Sequence, residues 1–356
     1  MKLTWPLSVC GAFGAAGMIA ALAQNSTTPT LPNGTTPYNL TVPAGLPAPP
    51  LPSDNRLTVQ GVALGQRLFN EKLLSGNKMQ ACSSCHRPGS AFSDQGNALS
   101  KGSTGAKGTR NAPGLFNLAY QHDYFWDGRE ATLRAQALDP IQNPVEMNQT
   151  LANAVANLQK DATYPAQFAK AFGSKGITPG RIGLALEQYE LTLFAGSSKF
   201  DLVQRKLAKF TPQEQQGFDV FRTPFNPRNG QFGGDCARCH GGPLFSDFKF
   251  RNNGLDANPT DAGREGVTKN PRDFATFKTP SLRNLTATGP YMHDGRISTL
   301  DEVVGHYSSG IVQSQTLDPG LARENGGVHL NASDHDALVA FLKTLVDSSF
   351  TKPIYP

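Results

Sequence analysis

Three residues within a five-residue stretch have the types and the spacing needed to attach a haem. Cys82, Cys85 and His86 form a C-x-x-C-H motif, the attachment signal of a c-type haem. Two thiols at this spacing can bond to the two vinyl groups of one porphyrin, and the adjacent imidazole can bind the iron as an axial ligand. The motif therefore predicts a covalent haem in this part of the chain.

The same motif occurs a second time, at Cys236, Cys239 and His240. Of the five cysteines in the chain, only Cys10 lies outside the two motifs. A redox dithiol or a zinc site would not explain why a histidine directly follows the second cysteine in both places. We therefore expect two covalently bound haem c groups.

The chain is long enough for two domains, one for each haem motif. It has 356 residues and a formal net charge of +5. It contains no run of lysine or arginine of the kind that binds nucleic acid, so we expect no nucleic-acid partner. The predicted domains are residues 56–205, with the first haem, and residues 206–350, with the second.

The amino-terminal residues are typical of an export signal. Lys2 precedes an apolar stretch from Leu7 to Leu22, and Ala21–Ala23 resembles a cleavage site, so residues 1–23 are predicted to be a signal peptide. We expect no transmembrane helix in the mature chain and a periplasmic or cell-surface location, where haem is attached outside the reducing cytosol. Residues 24–55 are rich in proline and threonine and are predicted to form a disordered linker, which could tether the protein to the envelope.

The elements that must position the two motifs are predicted to be helical. Apolar residues recur at helical spacing near residues 59–69, 151–158, 182–193 and 338–345. Thr211–Glu214 and Thr299–Glu302 match the capping box and predict two further helix starts. No segment shows the alternation typical of strands. The predicted fold is all-α, with two cytochrome c-like domains and long loops.

Four longer stretches accompany the paired haem motifs, and Gln136 follows the first of them. They are Phe125–Arg129, Asn143–Met147, Thr279–Asn284 and Pro290–Gly295. With these stretches, the chain from about Leu51 to Val346 resembles the bacterial dihaem cytochrome c peroxidase and MauG superfamily, more closely its MauG branch. In that family the amino-terminal haem meets hydrogen peroxide and the carboxy-terminal haem passes electrons to it.

The resemblance implies roles for four residues near the first haem. Glu146 and Gln136 match the family residues that line the peroxide pocket, with Pro140 on the same distal side. A carboxylate near the iron can take the inner proton of the peroxide and return it to the departing oxygen. Trp126 matches a tryptophan that lies between the two haems and relays charge.

The resemblance also bears on whether the first haem is open. In the peroxidase branch a histidine in the loop after the first motif caps the resting haem, and the matching position here is Ser103. No histidine lies between His86 and His122. We therefore expect an open first haem that hydrogen peroxide can reach, as in MauG-like proteins.

The axial position opposite His240 matches Tyr307, where typical family peroxidases have methionine and MauG has tyrosine. Tyr307 shares the apolar face of the predicted helix with Leu300, whereas His306 points about 100° away. His306 and Met292 remain alternative ligands. A phenolate oxygen stabilises oxidised iron better than a thioether, so Tyr307 would lower the haem potential and help store oxidising equivalents.

The resemblance further implies a calcium ion between the haems. Asn111, Thr288 and Pro290 match the calcium site of the family, where the last two contribute backbone carbonyls. Ligation by oxygen atoms alone suits a hard cation such as Ca²⁺.

The main functional hypothesis is an exported dihaem peroxidase of MauG type that takes electrons from a small redox protein, either a c-type cytochrome or a cupredoxin. An alternative is MauG-like oxidation of tryptophan or tyrosine side chains in a partner protein. MauG has a surface tryptophan just before the second motif, and the matching position here is Gly234, which weakens that alternative. A third hypothesis is a non-enzymatic electron carrier, which requires a sixth protein ligand on the first haem.

Overall fold

The computed structural model describes residues 31–350, so the predicted signal peptide lies outside the described residues. The helices are α1 Val59–Phe69, α2 Cys82–Cys85, α3 Leu133–Gln136, α4 Asp139–Gln142, α5 Leu151–Lys160, α6 Tyr164–Phe172, α7 Pro179–Glu190, α8 Lys199–Gln204, α9 Pro212–Arg222, α10 Ala237–His240, α11 Glu265–Thr268, α12 Leu285–Thr288, α13 Leu300–Gly305 and α14 Ala332–Lys343. The strands are β1 Phe225–Asn226, β2 Gln231–Phe232, β3 Phe250–Arg251 and β4 Phe277–Lys278. Among residues 31–350, no helix is long and apolar enough to cross a bilayer.

The first half of the chain is built on the contact between α1 and α7. The hydroxyl of Thr58 caps α1 by accepting a hydrogen bond from the Gly61 amide at 2.9 Å. At Gly65 a Cβ atom would come within 1.9 Å of the carbonyl oxygen of Ala185, so the two helices touch backbone to backbone. Buried side chains from residues 57–194 then form one continuous core around this crossing.

The second half repeats this arrangement with α9 and α14. A Cβ atom at Gly217 would meet the carbonyl oxygen of Ala337 at 1.8 Å, so glycine again permits the close crossing. Six aromatic rings pack around it, at Phe200, Phe210, Phe218, Phe221, Phe245 and Phe341. Each half of the chain therefore has its own hydrophobic cluster. The domain boundary at residues 205/206 remains a prediction.

The capping boxes predicted from the sequence are confirmed. Thr211 and Glu214 bond reciprocally at the start of α9, and Thr299 and Glu302 do so at the start of α13. The strands were not predicted, because each has two residues, too few to show alternation. In the β3–β4 ribbon, Phe250 pairs with Lys278, and the described chain is mostly helical.

The predicted disorder of the linker is wrong for residues 31–55. The amide of Tyr38 donates to the carbonyl of Leu57 at 3.0 Å, and the hydroxyl of Tyr120 donates to the carbonyl of Pro47 at 2.6 Å. Four side chains of this segment pack against the first core: Tyr38, Leu40, Val42 and Leu46. Composition alone missed this, because the apolar residues are widely spaced and find their hydrophobic partner only in the folded domain.

Candidate haem centres

The first haem motif forms the short helix α2 and the residue that follows it. His86 is fixed by a hydrogen bond of 2.8 Å between its Nδ1 and the carbonyl oxygen of Phe92. A carbonyl can only accept, so Nδ1 carries the proton and Nε2 keeps its lone pair for a metal. Burial lowers the pKa of His86, which favours the neutral imidazole that binds iron.

The second motif has the same local geometry. The Nδ1 atom of His240 lies 3.1 Å from the carbonyl oxygen of Phe245, which again leaves Nε2 free. Burial lowers the pKa of His240 to about 4, so the ring is neutral at physiological pH. Cys236 and Cys239 form no disulfide, and neither do the two cysteines of the first motif. Both donor sets, two thiols and an oriented neutral imidazole, therefore fit a covalent haem c.

Glu146 lies close to the first motif. Its charge acts on the thiols of both Cys82 and Cys85, and its Oε1 accepts a hydrogen bond of 2.7 Å from Nδ2 of Asn143. Burial raises the pKa of Glu146, and the bond from Asn143 offsets only part of that effect. A carboxyl group with a raised pKa is suited to take and return a proton.

The other two predicted pocket residues lie just before Glu146 in the chain. The carbonyl oxygen of Pro140, in α4, accepts a hydrogen bond of 3.1 Å from the amide of Met147, so the two segments form one compact turn. Gln136 is the last residue of α3 and is half-buried. In the described part of the chain its side chain forms no hydrogen bond with Glu146.

Ser103, which the resemblance matches to the capping histidine, is held against the same turn. Its amide donates to the carbonyl oxygen of Glu146 at 2.7 Å, and its own carbonyl accepts a bond of 2.7 Å from Asn77. The loop after the first motif is therefore tied to the peptide backbone of Glu146. The serine side chain carries no imidazole that could bind iron.

Trp126 lies where the two halves of the chain meet. Its Nε1 donates a hydrogen bond of 2.9 Å to the carbonyl oxygen of Asn111, whose amide donates at 2.7 Å to the carbonyl of His293. His293 belongs to the second half, and its ring stacks on Phe277 with the centroids 3.8 Å apart. The indole is thus connected to the second half through one intervening residue.

Tyr307 faces the second haem motif from a π-helical turn, His306–Gly310, that directly follows α13. Its hydroxyl lies 3.4 Å from Nδ2 of Asn253, an atom that is also 3.4 Å from the sulfur of Met292. Burial raises the pKa of Tyr307, and the charges of the second-motif thiols act on it in the same direction. The Nε2 atom of His306 lies 3.1 Å from the carbonyl oxygen of Asn253, so this nitrogen is already engaged by the backbone. Tyr307 and Met292 are therefore the better-placed ligand candidates.

The three residues matched to a calcium site approach one another through a shared loop. Nδ2 of Asn111 donates to the carbonyls of Asn97 and Ala98 at 3.2 and 3.0 Å. The amide of Gly96, in the same loop, donates at 3.0 Å to the carbonyl of Gly289, between Thr288 and Pro290. This oxygen-rich environment suits a hard cation. Calcium at Asn111, Thr288 and Pro290 remains a prediction.

One charged feature near the second motif was missed by the sequence analysis. A cavity of about 390 Å³ is lined by Arg110, Asp261 and His293 together with Asn253, the neighbour of Tyr307. The Arg110 guanidinium donates two hydrogen bonds of 2.8 Å to Asp261, which is 151 positions away in sequence. No local pattern could have indicated this pair, because the two residues meet only when the halves pack together.

The two helical halves, each with a C-x-x-C-H segment and an oriented neutral histidine, define a dihaem c-type protein. The family model of the di-haem cytochrome c peroxidases matches residues 59–209. The methylamine utilization protein MauG of Methylophilus methylotrophus is 34% identical over 297 residues, which cover 83% of this chain and 85% of MauG. The cytochrome-c peroxidase IdrP1 of Denitromonas iodatirespirans is 33% identical, covering 87% of this chain and 86% of its own.

The crystal structure of a MauG-like protein associated with microbial copper homeostasis is also similar, with 34% identity and a TM-score of 0.78. The match covers 89% of this chain and 98% of that protein. The chain therefore belongs to the dihaem cytochrome c peroxidase and MauG family. It is a peroxidase-type oxidoreductase with haem c cofactors.

Proposed function

We propose that this protein is an exported peroxidase of MauG type that reduces hydrogen peroxide at the haem of the first motif. The reaction consumes two protons and two electrons and releases two molecules of water. The first haem, held by Cys82, Cys85 and His86, would supply an iron that binds peroxide and exchanges electrons with it. The second haem, held by Cys236, Cys239 and His240, would pass on electrons from a small redox protein, a c-type cytochrome or a cupredoxin.

The observation that carries this proposal is the lack of a capping side chain for the first haem. Between His86 and Asp139 the only histidine is His122, and there is no methionine. The side chain of His122 is 69% exposed and is bound to Asp123 at 2.6 Å, so it is engaged at the surface. Ser103, which the family resemblance matches to the capping histidine, is tied to the Glu146 backbone. We therefore expect a haem iron held by His86 to remain open to a small oxidant.

The protein residues around this position would perform the proton chemistry. Glu146 takes the proton from the inner oxygen of the peroxide and delivers it to the outer oxygen, which leaves as water. The Asn143 amide holds the Glu146 carboxyl group through its bond to Oε1. Gln136 and Pro140 would line the same distal side and restrict its volume, and Trp126 would relay charge between the halves.

A second candidate function is the oxidation of tryptophan or tyrosine residues in a partner protein. The match of Tyr307 to the axial tyrosine of MauG, its closeness to the second-motif thiols and the similarity to MauG favour it. Gly234 at the position of the MauG surface tryptophan counts against the same exit route. Trp126 is the only tryptophan among the described residues, so a different side chain would have to carry charge to the surface.

Titration of the purified dihaem protein with peroxide tests the proposal. We expect a high-spin first haem whose spectrum changes with one equivalent of peroxide, and turnover when a reduced cytochrome or cupredoxin is added. Turnover only with a co-purified partner, whose tryptophan or tyrosine gains mass, would support the second candidate instead. Two low-spin haems that do not respond to peroxide would contradict both and indicate an electron carrier.

Replacing Tyr307 with methionine is expected to raise the potential of the second haem. A thioether stabilises reduced iron relative to a phenolate, and axial ligands shift haem potentials over a range of about 0.8 V. We expect a rise of roughly 100 mV or more in a spectroscopic redox titration. The control is His306→Gln, which should leave the potential unchanged because the His306 ring binds a backbone carbonyl. A shift in the control and none in Tyr307→Met would show that His306 is the ligand.

A further inference from the structure

The segment that carries Trp126 is held by a half-buried lysine from the other half of the chain. The ammonium group of Lys278 donates hydrogen bonds of 2.6 Å to Oε1 of Gln121 and to the carbonyl oxygen of Asp123. The backbone amide of Lys278 donates at 2.8 Å to the carbonyl oxygen of Trp126 itself. One residue of β4 therefore makes three hydrogen bonds to the six residues that end at Trp126.

An arginine from the second half holds the other side of the same segment. Nη1 of Arg264 donates to the carbonyl oxygens of Asp127 at 2.9 Å and Gly128 at 2.6 Å. The guanidinium group lies over the ring of Phe250, 4.3 Å from its centroid, and Phe250 pairs with Lys278 in the β3–β4 ribbon. Lys278 and Arg264 therefore contact residues 121–128 on both sides of Trp126 in the sequence.

Desolvation of the half-buried Lys278 ammonium group is costly, which argues that the residue has a specific role. Lysine is rarely buried, and here burial lowers its pKa to about 8. The two oxygens that accept its hydrogen bonds are neutral, and the charges of Asp123 and Asp127 offset only part of the desolvation. A methionine would fill the same volume without that cost. Unlike methionine, the lysine can hold the segment that it binds in a fixed position.

We propose that Lys278 and Arg264 are positioning residues that hold Trp126 at the distance and orientation needed for charge transfer between the two haems. The third constraint is the bond from the indole Nε1 to Asn111, which fixes the plane of the ring. Electron tunnelling weakens steeply with distance, so a small displacement of the indole slows transfer. This inference rests on the proposed function, in which Trp126 is the relay.

The test compares four variants of the dihaem protein: Lys278→Met, Arg264→Met, Trp126→Phe and Lys249→Met. Lys249 is the control, because it is an exposed lysine next to β3 in the same ribbon. Stopped-flow spectroscopy follows the first haem as it reacts with peroxide and the second haem as it responds. Hydrogen exchange of residues 121–128, measured without peroxide, reports the order of the segment independently of activity.

We expect Lys278→Met and Arg264→Met to leave the peroxide-dependent first phase unchanged and to slow the second phase by about tenfold, because a small misplacement of a relay group slows transfer strongly. Hydrogen exchange in residues 121–128 should become faster in both variants and stay unchanged in Lys249→Met. Loss of the first phase to the same extent as the second would show a general structural role and overturn the proposal. If Lys278→Met fails to take up haem, Arg264→Lys provides the same comparison, because its single ammonium cannot serve both carbonyls equally.

The variants also separate this inference from the proposed function. A wild-type protein that does not respond to peroxide would contradict the proposed function itself. A slow second phase in Trp126→Phe with a normal one in Lys278→Met and Arg264→Met would contradict only the positioning role. A normal second phase in Trp126→Phe would show that charge does not pass through the indole, and the positioning role would fall with it.

Discussion

Glu146→Gln is expected to lower kcat/KM for hydrogen peroxide by about 10²–10⁴-fold, the usual contribution of a positioned general acid or base. Glutamine has nearly the same shape and keeps an oxygen that can accept the hydrogen bond from Asn143, so the turn should retain its structure. It cannot take up and return a proton. The loss would therefore report proton transfer rather than a rearranged pocket.

The pH profile gives a second measurement for Glu146. As a base it must start ionised, and burial raises its pKa, so the activity of the wild-type protein should fall as the pH drops through that raised value. The activity of Glu146→Gln should not show this fall at low pH. Glu130→Gln is the matched control, because Glu130 feels the charges of Arg129 and Asp139 as Glu146 does, but lies outside the predicted pocket. Equal losses in the two variants would contradict the assigned role.

Arg283→Met is expected to lower the free energy of unfolding by about 3–5 kcal/mol, because it leaves a buried carboxylate without its partner. Arg283 is 1% exposed, and its guanidinium binds both oxygens of Asp201, at 2.8 and 2.9 Å. It also donates to the carbonyl oxygen of Pro243, three residues after His240. The same side chain therefore stabilises α8 and the loop after the second haem motif.

Denaturant unfolding of matched variants tests this expectation. Arg222→Met is the control, because Arg222 and its partner Asp219 are 61% and 46% exposed, and such pairs contribute about 0–1 kcal/mol. The double variant Arg283→Met, Asp201→Leu should recover much of the loss, since it removes the unpaired charge as well. A single variant as stable as the control would show that the pair does not stabilise the fold.

The same ion pair predicts how the stability difference depends on pH. Burial alone would raise the pKa of Asp201, but the hydrogen bonds and charge of Arg283, with the bonds from Ser198, outweigh it and hold the pKa below its ordinary value. A depressed carboxyl pKa stabilises the fold above the unfolded value of about 3.9, and this stabilisation is lost as the pH falls through the folded value. The difference between wild type and Arg283→Met should therefore be largest near neutral pH and shrink in acid.

Short segments determined much of what the sequence could show. A C-x-x-C-H motif needs only five consecutive residues to present two thiols and an imidazole, so it predicts a haem site before any fold is known. The capping boxes at Thr211 and Thr299 are also local, because the reciprocal bonds span three residues. These features were predictable because the interacting atoms are close along the chain.

Only the tertiary structure decided which distant residues support these local sites. The order of residues 31–55 depends on a core contributed by later helices, and the Arg283–Asp201 pair joins residues that are 82 positions apart. Lys278 meets Gln121 across 157 positions. Such long-range contacts leave no periodic pattern in the sequence. A buried charge is tolerated only where folding brings a polar or charged partner to it. The sequence therefore predicts where haem attaches, whereas packing of the two halves determines how Trp126 is held and what stabilises the second motif.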